Sequence, residues 1–185
     1  HPEINFTIMS MSSEEILRGL EDFSIDAGIS YLDNEPINDL LATPLYVERY
    51  CLFVPAGHRF ASLDQVTWKE AAELPLGLLT ANMQNRRIID RAFEAAGCHP
   101  QPALETNSVI NLYSNVRLMD LASVMPRYLA NMLGDDAGVK AIPLVEPEVA
   151  HSVGVVTQDR DPVAPLVRAF RQAASHFSTN GISLG

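Results

Sequence analysis

The chain has 185 residues, a formal net charge of −10 at pH 7 and a hydrophobic fraction of 47%. This length fits one large domain or two small lobes, and the apolar fraction suffices for a core, which argues against wholesale disorder. With 23 acidic and only 13 basic residues, the chain is a poor partner for a phosphate backbone, because such binding depends on Lys and Arg. A nucleic-acid-binding element, if the whole protein has one, should lie outside this segment.

The residues that could carry catalysis or bind metals form no recognised motif. Cys51 and Cys98 have no close partner spacing and are interpreted as free, buried thiols in a reducing cytoplasm. The five histidines are scattered, without an HxxxH or HExxH arrangement, so we predict no metal site and no cofactor. No apolar run approaches the ~20 residues of a membrane span. The first residues carry no signal-peptide pattern, and we interpret the chain as a fragment that begins at a strand.

In chain order, the first predicted elements are a strand, a helix and a second strand. Residues 4–10 place alternating apolar side chains on one face of a strand. Ser12 and Glu15 have the spacing of a capping box, which predicts a helix start. The apolar stripe expected on that helix consists of Ile16, Leu17, Leu20 and Phe23. In the strand over 25–31, Ala27 and Gly28 allow a helix to approach closely. Together these elements predict a βαβ unit with parallel strands.

The middle of the chain alternates short strands and helices. We predict strands near 40–45 and 48–54 that Pro44 separates, and a loop over 55–64. Thr67 and Glu70 form a second capping box, which opens a short helix that ends before Pro75. A strand over 74–80 leads into a helix over 81–97 that stops at Gly97. Its core-facing residues should be Ile88, Ile89, Ala92 and Phe93.

The last third continues this alternation, which indicates an α/β protein. A strand near 103–106 precedes a helix over about 108–119 with one apolar face formed by Val109, Leu112 and Val116. Three strands follow, over 121–126, 139–145 and 151–158. The last helix should begin with Asp161 as N-cap and Pro162 in its first turn. Its inward residues should be Leu166, Val167, Phe170 and Phe177.

Small polar residues follow two predicted strands, each just before a helix. In open α/β sheets, ligands bind beyond the carboxyl ends of strands, where helix N-termini present free N–H groups. Either junction alone could serve only for capping or for a loop. Two such junctions favour a shared small-molecule site, with Ser13 and Thr80 facing one cleft from opposite sides. The candidate binding residues are Ser10, Ser12, Ser13, Thr80, Asn82, Gln84 and Asn85.

The order of these features resembles the effector-binding domain of LysR-type transcriptional regulators over essentially the whole chain. The opening His1-Pro2-Glu3, the polar junction, the amphipathic helix and Ile25-Asp26-Ala27-Gly28 match the family pattern. A further matching run consists of Leu45, Glu48, Leu52, Val54, Pro55, His58 and Ala61. The resemblance continues through the Glu105 region, Val124-Met125-Pro126 and the final helix. Met119 and Leu121 replace glycines that are usual in the family, which predicts a different helix-to-strand turn.

The resemblance implies an α/β fold of the periplasmic-binding-protein-like (type 2) kind, with two α/β lobes joined by two crossing strands. Lobe I would comprise residues 1–46 plus 149–185, and lobe II residues 47–148. The implied function is effector sensing: a small molecule binds between the lobes and modulates DNA binding and transcription by favouring one arrangement. The alternative is a solute-binding protein of a transport system with the same fold.

The resemblance also implies partners. DNA would be bound only through an N-terminal winged helix-turn-helix, which this chain lacks together with the domain's first strand and helix. The full-length protein would be a cytoplasmic homodimer or homotetramer. The missing helix would face residues 86–96 of the partner, so this fragment should dimerise poorly.

Two questions of chemistry remain open from the sequence. Arg86, Arg87 and the helix N-termini favour a small anion, such as a carboxylate, as effector, although arginines one turn into a helix are often only solvated. A nucleophile pair of Cys51 or Cys98 with His58 or His99 is conceivable. Because Cys98 and His99 are immediate neighbours with diverging side chains, and Cys51 lies within a strand, we predict no enzymatic activity.

We predict that this chain binds duplex DNA no better than a generic acidic protein, because its net charge is −10 and the sequence contains no basic helix. Fluorescence anisotropy with a labelled duplex at physiological ionic strength measures this. Submicromolar, salt-sensitive binding would contradict the prediction.

Overall fold

The computed structural model describes residues 4–33, 40–133, 138–160 and 162–179. Within them, helices and strands alternate as an α/β protein requires. In chain order the elements are α1 (Ser13–Glu21), β1 (Gly28–Tyr31), β2 (Leu40–Pro55), β3 (Val66–Thr67), α2 (Trp68–Ala71), β4 (Leu76–Leu79), α3 (Gln84–Ala95), β5 (Leu104–Thr106), α4 (Val109–Leu118), β6 (Ala122–Pro126), α5 (Tyr128–Leu133), β7 (Val139–Val145), β8 (Ala150–Gln158) and α6 (Pro165–Thr179).

The strands form one connected sheet in the order β1-β8-β2-β6-β4-β5, and β7 pairs with both β2 and β3. Strand β4 runs parallel to β5 and β6, whereas β2 is antiparallel to β6, β7 and β8. The parallel strands alternate with α3 and α4, as expected when a crossover helix connects strands that run in one direction.

The long strand β2 belongs to both halves of the sheet. Residues 40–49 pair with β8, and residues 50–55 lie between β6 and β7. The expectation that Pro44 separates two strands is wrong. Among the described strands, only β8 pairs with this part of β2, so its other edge is open and tolerates a residue without an N–H. The register shifts between Pro44 and Tyr46, and such a bulge bends a strand without ending it.

Residues 50–54 of β2 are buried on both faces of the sheet. Leu52 and Val54 belong to a hydrophobic cluster with Trp68 under α2 and α3. Cys51 and Phe53 belong to a second cluster, under α4 and α5. A continuous apolar run fits a strand that helices cover from both sides, because alternate side chains then all enter a core.

Helix α1 begins with the predicted capping box. Ser12 Oγ accepts a hydrogen bond from the Glu15 backbone N–H at 3.3 Å, and Glu15 Oε2 accepts one from the Ser12 backbone N–H at 2.7 Å. The apolar stripe ends at Leu20, which is buried. Including Phe23 in it was wrong, because this residue lies beyond the helix end at φ 63° and its ring is exposed.

The close approach expected at Gly28 is confirmed. A Cβ atom there would lie 2.3 Å from Cγ2 of Ile16, so α1 packs directly onto the backbone of β1. A side chain at this position would force α1 away from the sheet.

Residues 4–10 do not form the predicted strand. Phe6 and Ile8 are 68% and 93% exposed. No described strand pairs with this segment, and a strand without a neighbour lacks the ladder hydrogen bonds that define it. The predicted parallel βαβ unit is therefore absent from the described part of the chain, where β1 pairs antiparallel with β8. The His1-Pro2-Glu3 motif lies outside the described residues.

The remaining elements follow the sequence closely. The Thr67 capping box, β4, the four inward residues of α3, the stop at Gly97 (φ 74°), β5, α4 and β6 to β8 are confirmed. Met119 ends α4 at φ −123°, extended backbone that any residue adopts, so no glycine is required there. The short elements β3 and α5 were missed because two to six residues carry little periodic signal.

The last helix begins later than predicted, at Pro165. Asp161, the expected N-cap, lies outside the described residues, and so does the side chain of Phe177. Val167 and Phe170 are half-buried, but Leu166 is exposed and its inward placement was wrong. Leu166 is the second residue of the helix and lies at its N-terminal end.

We predict that Gly154→Ala lowers the free energy of unfolding by about 2 kcal/mol, the usual cost of overpacking. A Cβ at Gly154 in β8 would lie 2.6 Å from the carbonyl oxygen of Thr43 in β2, and two paired backbones cannot separate without losing hydrogen bonds. Urea unfolding measures the change.

The matched control is Gly57→Ala, in an exposed turn where a new Cβ would have no heavy atom within 4 Å. Its unfolding free energy should stay near that of the wild type. Equal stabilities for the two variants would show that β2 and β8 are not in close contact at Gly154.

Candidate functional site

A cavity of about 180 Å³ lies where the first residues of α1 and α3 meet strands β1, β2 and β8. It has both polar and apolar walls. Its lining residues are Met11, Ser12, Ser13, Ile16, Ile29, Ser30, Tyr31, Tyr46, Glu48, Met83, Gln84, Asn85 and Val153.

Both predicted polar junctions reach this cavity, but not with all of their residues. Ser12, Ser13, Gln84 and Asn85 line it, whereas Ser10, Thr80 and Asn82 are not lining residues. Ser10 is exposed. The Thr80 hydroxyl is buried without a hydrogen-bond partner among the described residues, and the Asn82 carbonyl accepts a hydrogen bond from Arg87.

At the first junction, capping and cavity lining are combined. Ser12 caps α1, as the purely structural interpretation requires. The next residue, Ser13, is the first of the helix, is buried, and its hydroxyl accepts a hydrogen bond of 3.5 Å from Ser30 of β1. The start of α1 is thereby fixed against the cavity wall.

The start of α3 also lies at the cavity, without a capping side chain. Its N-cap residue, Met83, makes no side-chain hydrogen bond to the helix, and the first turn contains no acidic residue. The first N–H groups of a helix have no intrahelical acceptor, and the helix dipole makes this end positive. Since no side chain of the described residues caps the beginning of α3, its first N–H groups can act as donors to a ligand.

The opposite feature of the cavity is a buried carboxylate, Glu48, which is 4% exposed. Tyr31 donates a short hydrogen bond to its Oε1, and the Tyr46 hydroxyl donates to its Oε2 at 3.3 Å. The Tyr50 hydroxyl lies 3.2 Å from that of Tyr31 and 3.5 Å from Glu48 Oε1. Asn85 Nδ2 donates to the Tyr31 hydroxyl at 3.0 Å. We call these five residues the Glu48 cluster.

Burial governs the protonation of this cluster. It raises the pKa of Glu48, against the opposing effect of the tyrosine hydrogen bonds. Burial and the Glu48 charge raise the pKa values of Tyr31, Tyr46 and Tyr50, so the hydroxyls stay protonated and donate. No cation is among the groups that shift the pKa of Glu48.

Sequence reasoning missed Glu48, Tyr31 and Tyr46 as site residues. A signal for part of the cluster was present, because Tyr46, Glu48 and Tyr50 alternate along β2 with the exposed Val47 and Arg49. Alternate residues of a strand share one face. A carboxylate between two tyrosines on the inward face is unusual enough to indicate a polar site.

The arginines expected to favour an anion are used within the protein. Arg86 is 10% exposed, and its guanidinium donates to Asp90 at 2.8 Å, to Glu105 at 2.6 Å and to the Leu79 carbonyl at 2.7 Å. Arg87 Nε donates to Gln84 Oε1 at 2.8 Å. The described cavity lining contains no Lys, Arg or His, and Glu48 is its one carboxylate.

The cysteines and histidines do not meet at the cavity. Burial raises the pKa of Cys51 to about 11, which keeps it a thiol, and His58 Nδ1 accepts a hydrogen bond from the Phe60 backbone. In the described ranges, no group of three or more His, Cys, Asp or Glu residues could hold a metal ion. Among those residues, no helix is both long and apolar enough to cross a membrane.

One long strand that changes its pairing partners along its length, with a cavity beside it, is typical of the periplasmic-binding-protein-like (type 2) fold. The model of the LysR substrate binding domain family matches residues 1–178. The chain belongs to this family, which confirms both the predicted fold class and the resemblance seen in the sequence.

Relatives in sequence are bacterial transcriptional regulators. The chain is 23% identical over 193 residues to a probable nitrogen assimilation transcriptional activator of Synechocystis sp., covering all of this chain and 62% of that protein. It is 30% identical over 105 residues to the regulator SsuR of Burkholderia cenocepacia, covering 56% of this chain and 33% of that protein. The chain thus spans less than two thirds of the length of these relatives.

Solved structures with the same fold include effector complexes. The effector-binding domain of QuiR in complex with shikimate has a TM-score of 0.78 at 21% identity, over 92% of this chain and 80% of that one. The Synechocystis CcmR regulatory domain in complex with 2-PG has a TM-score of 0.85 at 14% identity, over 98% and 86% of the two chains. At sequence identities this low, the similarity to these structures shows a shared fold and nothing more.

We predict that Glu48→Gln gains stability relative to the wild type as pH rises from about 4, the ordinary pKa of a glutamate, through the raised pKa of Glu48 in the folded protein. The folded pKa of Glu48 is raised, so the wild type loses stability as pH rises from the unfolded to the folded pKa. The glutamine side chain of the variant has no charge to bury, so its stability does not fall for this reason. Urea unfolding of both proteins across this range measures the difference.

The control is Glu94→Gln, on the exposed face of α3, which should show no such trend. His151 lies opposite Glu48 in the β2–β8 register. The comparison is therefore repeated in a His151→Asn background, where this imidazole does not titrate beside Glu48. A stability difference that stays constant with pH, or that falls for Glu48→Gln, would contradict the assignment.

Proposed function

We propose that this chain is the effector-sensing regulatory domain of a LysR-type transcriptional regulator and that its effector binds in the cavity at the starts of α1 and α3. The observation that carries the proposal is the cavity itself, which combines two helix N-termini with a buried polar cluster. Pockets of this kind, with few convergent polar groups, are the usual small-molecule sites.

Lobe I then comprises residues 1–46 plus 149–185, and lobe II residues 47–148. This division is supported by the change of partners along β2, from β8 over residues 40–49 to β6 and β7 over residues 50–55. An effector in the cavity contacts α1 from lobe I and α3 from lobe II. It shifts the lobe arrangement only by its differential affinity for the two states.

The proposed effector contacts are Ser12, Ser13, Gln84 and Asn85 with the first N–H groups of the two helices. Ser10, Thr80 and Asn82 flank these contacts. A small anion such as a carboxylate remains the proposed effector, held by backbone donors and helix dipoles. Arg86 and Arg87 are not assigned to it, since their guanidinium groups bond within lobe II.

In the whole protein, we propose, DNA is bound by a separate N-terminal domain, and the protein is a cytoplasmic homodimer or homotetramer without enzymatic activity. The net charge of −10 supports a separate DNA-binding domain, since an acidic chain does not attract the phosphate backbone of DNA. The raised pKa of Cys51 supports the absence of nucleophilic catalysis, because the thiolate is the nucleophile.

We predict that at least one compound from a panel of small organic acids raises the melting temperature of the chain. A ligand at 100 times its Kd stabilises the folded state by about 2.7 kcal/mol. Ser30→Leu, which places a larger apolar side chain in the cavity wall, should abolish the shift. Differential scanning fluorimetry measures it.

The matched control is Ser175→Leu, on the exposed face of α6, which should respond to the same compound like the wild type. If the shift persists in Ser30→Leu, the compound binds elsewhere and the cavity is not the effector site.

A further inference from the structure

Glu48 stands out in the cavity because its charge has no described counter-ion. Its hydrogen-bond partners are neutral hydroxyls, and Oε2 has one partner, Tyr46, at 3.3 Å. His151, opposite in the β-sheet register, has its pKa lowered by burial and is not among the groups that shift the pKa of Glu48. Buried carboxylates are normally paired with a cation.

The hydroxyl of Tyr46 can also take part in binding. It donates its proton to Glu48 and retains oxygen lone pairs, since a phenol both donates and accepts. The Tyr31 hydroxyl, by contrast, already donates to Glu48 and accepts from Asn85. The acceptors left for a ligand are therefore Glu48 Oε2 and the Tyr46 hydroxyl, both in the cavity lining.

The same cavity receives the starts of α1 and α3. The first turn of α1 carries Glu14 and Glu15 and a capping box, whereas that of α3 has neither an acidic residue nor a capping side chain, so the start of α3 is the more positive of the two. The electrostatics of the cavity are thus divided between a carboxylate with hydroxyls on the β2 side and backbone donors at the helix starts. A simple anion satisfies the helix starts but adds a second negative charge to a site that already holds one, and like charges repel strongly where water is excluded.

We propose that the effector is a small zwitterion of the amino-acid class, whose ammonium group binds Glu48 and Tyr46 and whose acid group binds at the starts of α1 and α3. The inference rests on the proposed function and specifies the ligand of that site. The ammonium supplies the counter-ion that Glu48 lacks, through charge-assisted hydrogen bonds. Under this proposal, Glu48 is the residue that distinguishes amino acids from acids without an ammonium group.

The test compares matched probes on the wild-type chain. Each amino acid, such as alanine, methionine or phenylalanine, is paired with its 2-hydroxy acid and its deoxy acid, and affinities are measured by titration calorimetry or NMR. At least one amino acid should bind about tenfold or more tightly than both counterparts, the usual effect of a hydrogen bond to a charged group.

Variants then test whether the preference for amino acids depends on Glu48 and Tyr46. Glu48→Gln should weaken binding of that amino acid about tenfold. Binding of its deoxy acid should stay the same or become tighter, because the charge that repels an anion is removed, while Glu94→Gln keeps the wild-type affinities. Tyr46→Phe, which removes one acceptor with little change in shape, provides a second variant if Glu48→Gln does not fold. It should weaken the amino acid selectively.

The outcomes separate this inference from the proposed function. If plain acids bind in the cavity as tightly as their amino acids, the zwitterion is overturned and effector binding stands. Unchanged amino-acid affinity in both Glu48→Gln and Tyr46→Phe also overturns it. If no amino acid in the panel binds, the inference fails, and the organic-acid screen with Ser30→Leu decides the proposed function independently.

Discussion

The continuous backbone of β2 is the constraint on which the rest of this structure depends. One strand of 16 residues pairs with β8 in its first part and with β6 and β7 in its last part. The two proposed lobes therefore share this strand through covalent and hydrogen bonds, and neither can move without affecting it. The bulge after Pro44 bends this strand without breaking it. Glu48 lies just before the change of partners.

The Glu48 cluster is a polar site buried next to two hydrophobic clusters. Removing a carboxylate from water is unfavourable, and three tyrosine hydroxyls offset only part of that cost. Natural proteins tolerate such local conflicts mainly at functional sites. Tyr31 comes from β1 and Asn85 from α3, so the cluster also joins elements of both proposed lobes. A ligand that rearranges its hydrogen bonds would act on both lobes at once.

The positive groups near the cavity differ in what they contact. Arg86, in the first turn of a helix that starts at the cavity, is held by its bonds to Asp90, Glu105 and the Leu79 carbonyl. In the proposed site, backbone N–H groups at the helix starts bind the acid group of the effector instead. This arrangement suits a sensor, because backbone donors are fixed by the fold and cost little ordering when a ligand arrives.

The sequence alone determined the class of fold, most of the helices and strands, and the family. Local patterns sufficed because capping boxes, the Gly97 stop and apolar periodicity act over a few residues. It also indicated the two junctions, of which Ser12, Ser13, Gln84 and Asn85 line the cavity. It failed where a neighbour distant in sequence decides the outcome. Residues 4–10 have a strand pattern but no described partner, and Pro44 fits within a strand because one edge is open.

The tertiary structure alone decided what the cavity contains. Tyr31, Glu48 and Asn85 come from three separate elements and meet only after β1, β2 and α3 have packed. Local periodicity predicts which face of a strand turns inward, but it cannot predict which side chains from other elements will meet there. For the same physical reason, the sequence left open whether Arg86 and Arg87 favour an anion or are only solvated. Long-range contacts bind Arg86 to Glu105 and leave the cavity with Glu48 as its one described carboxylate.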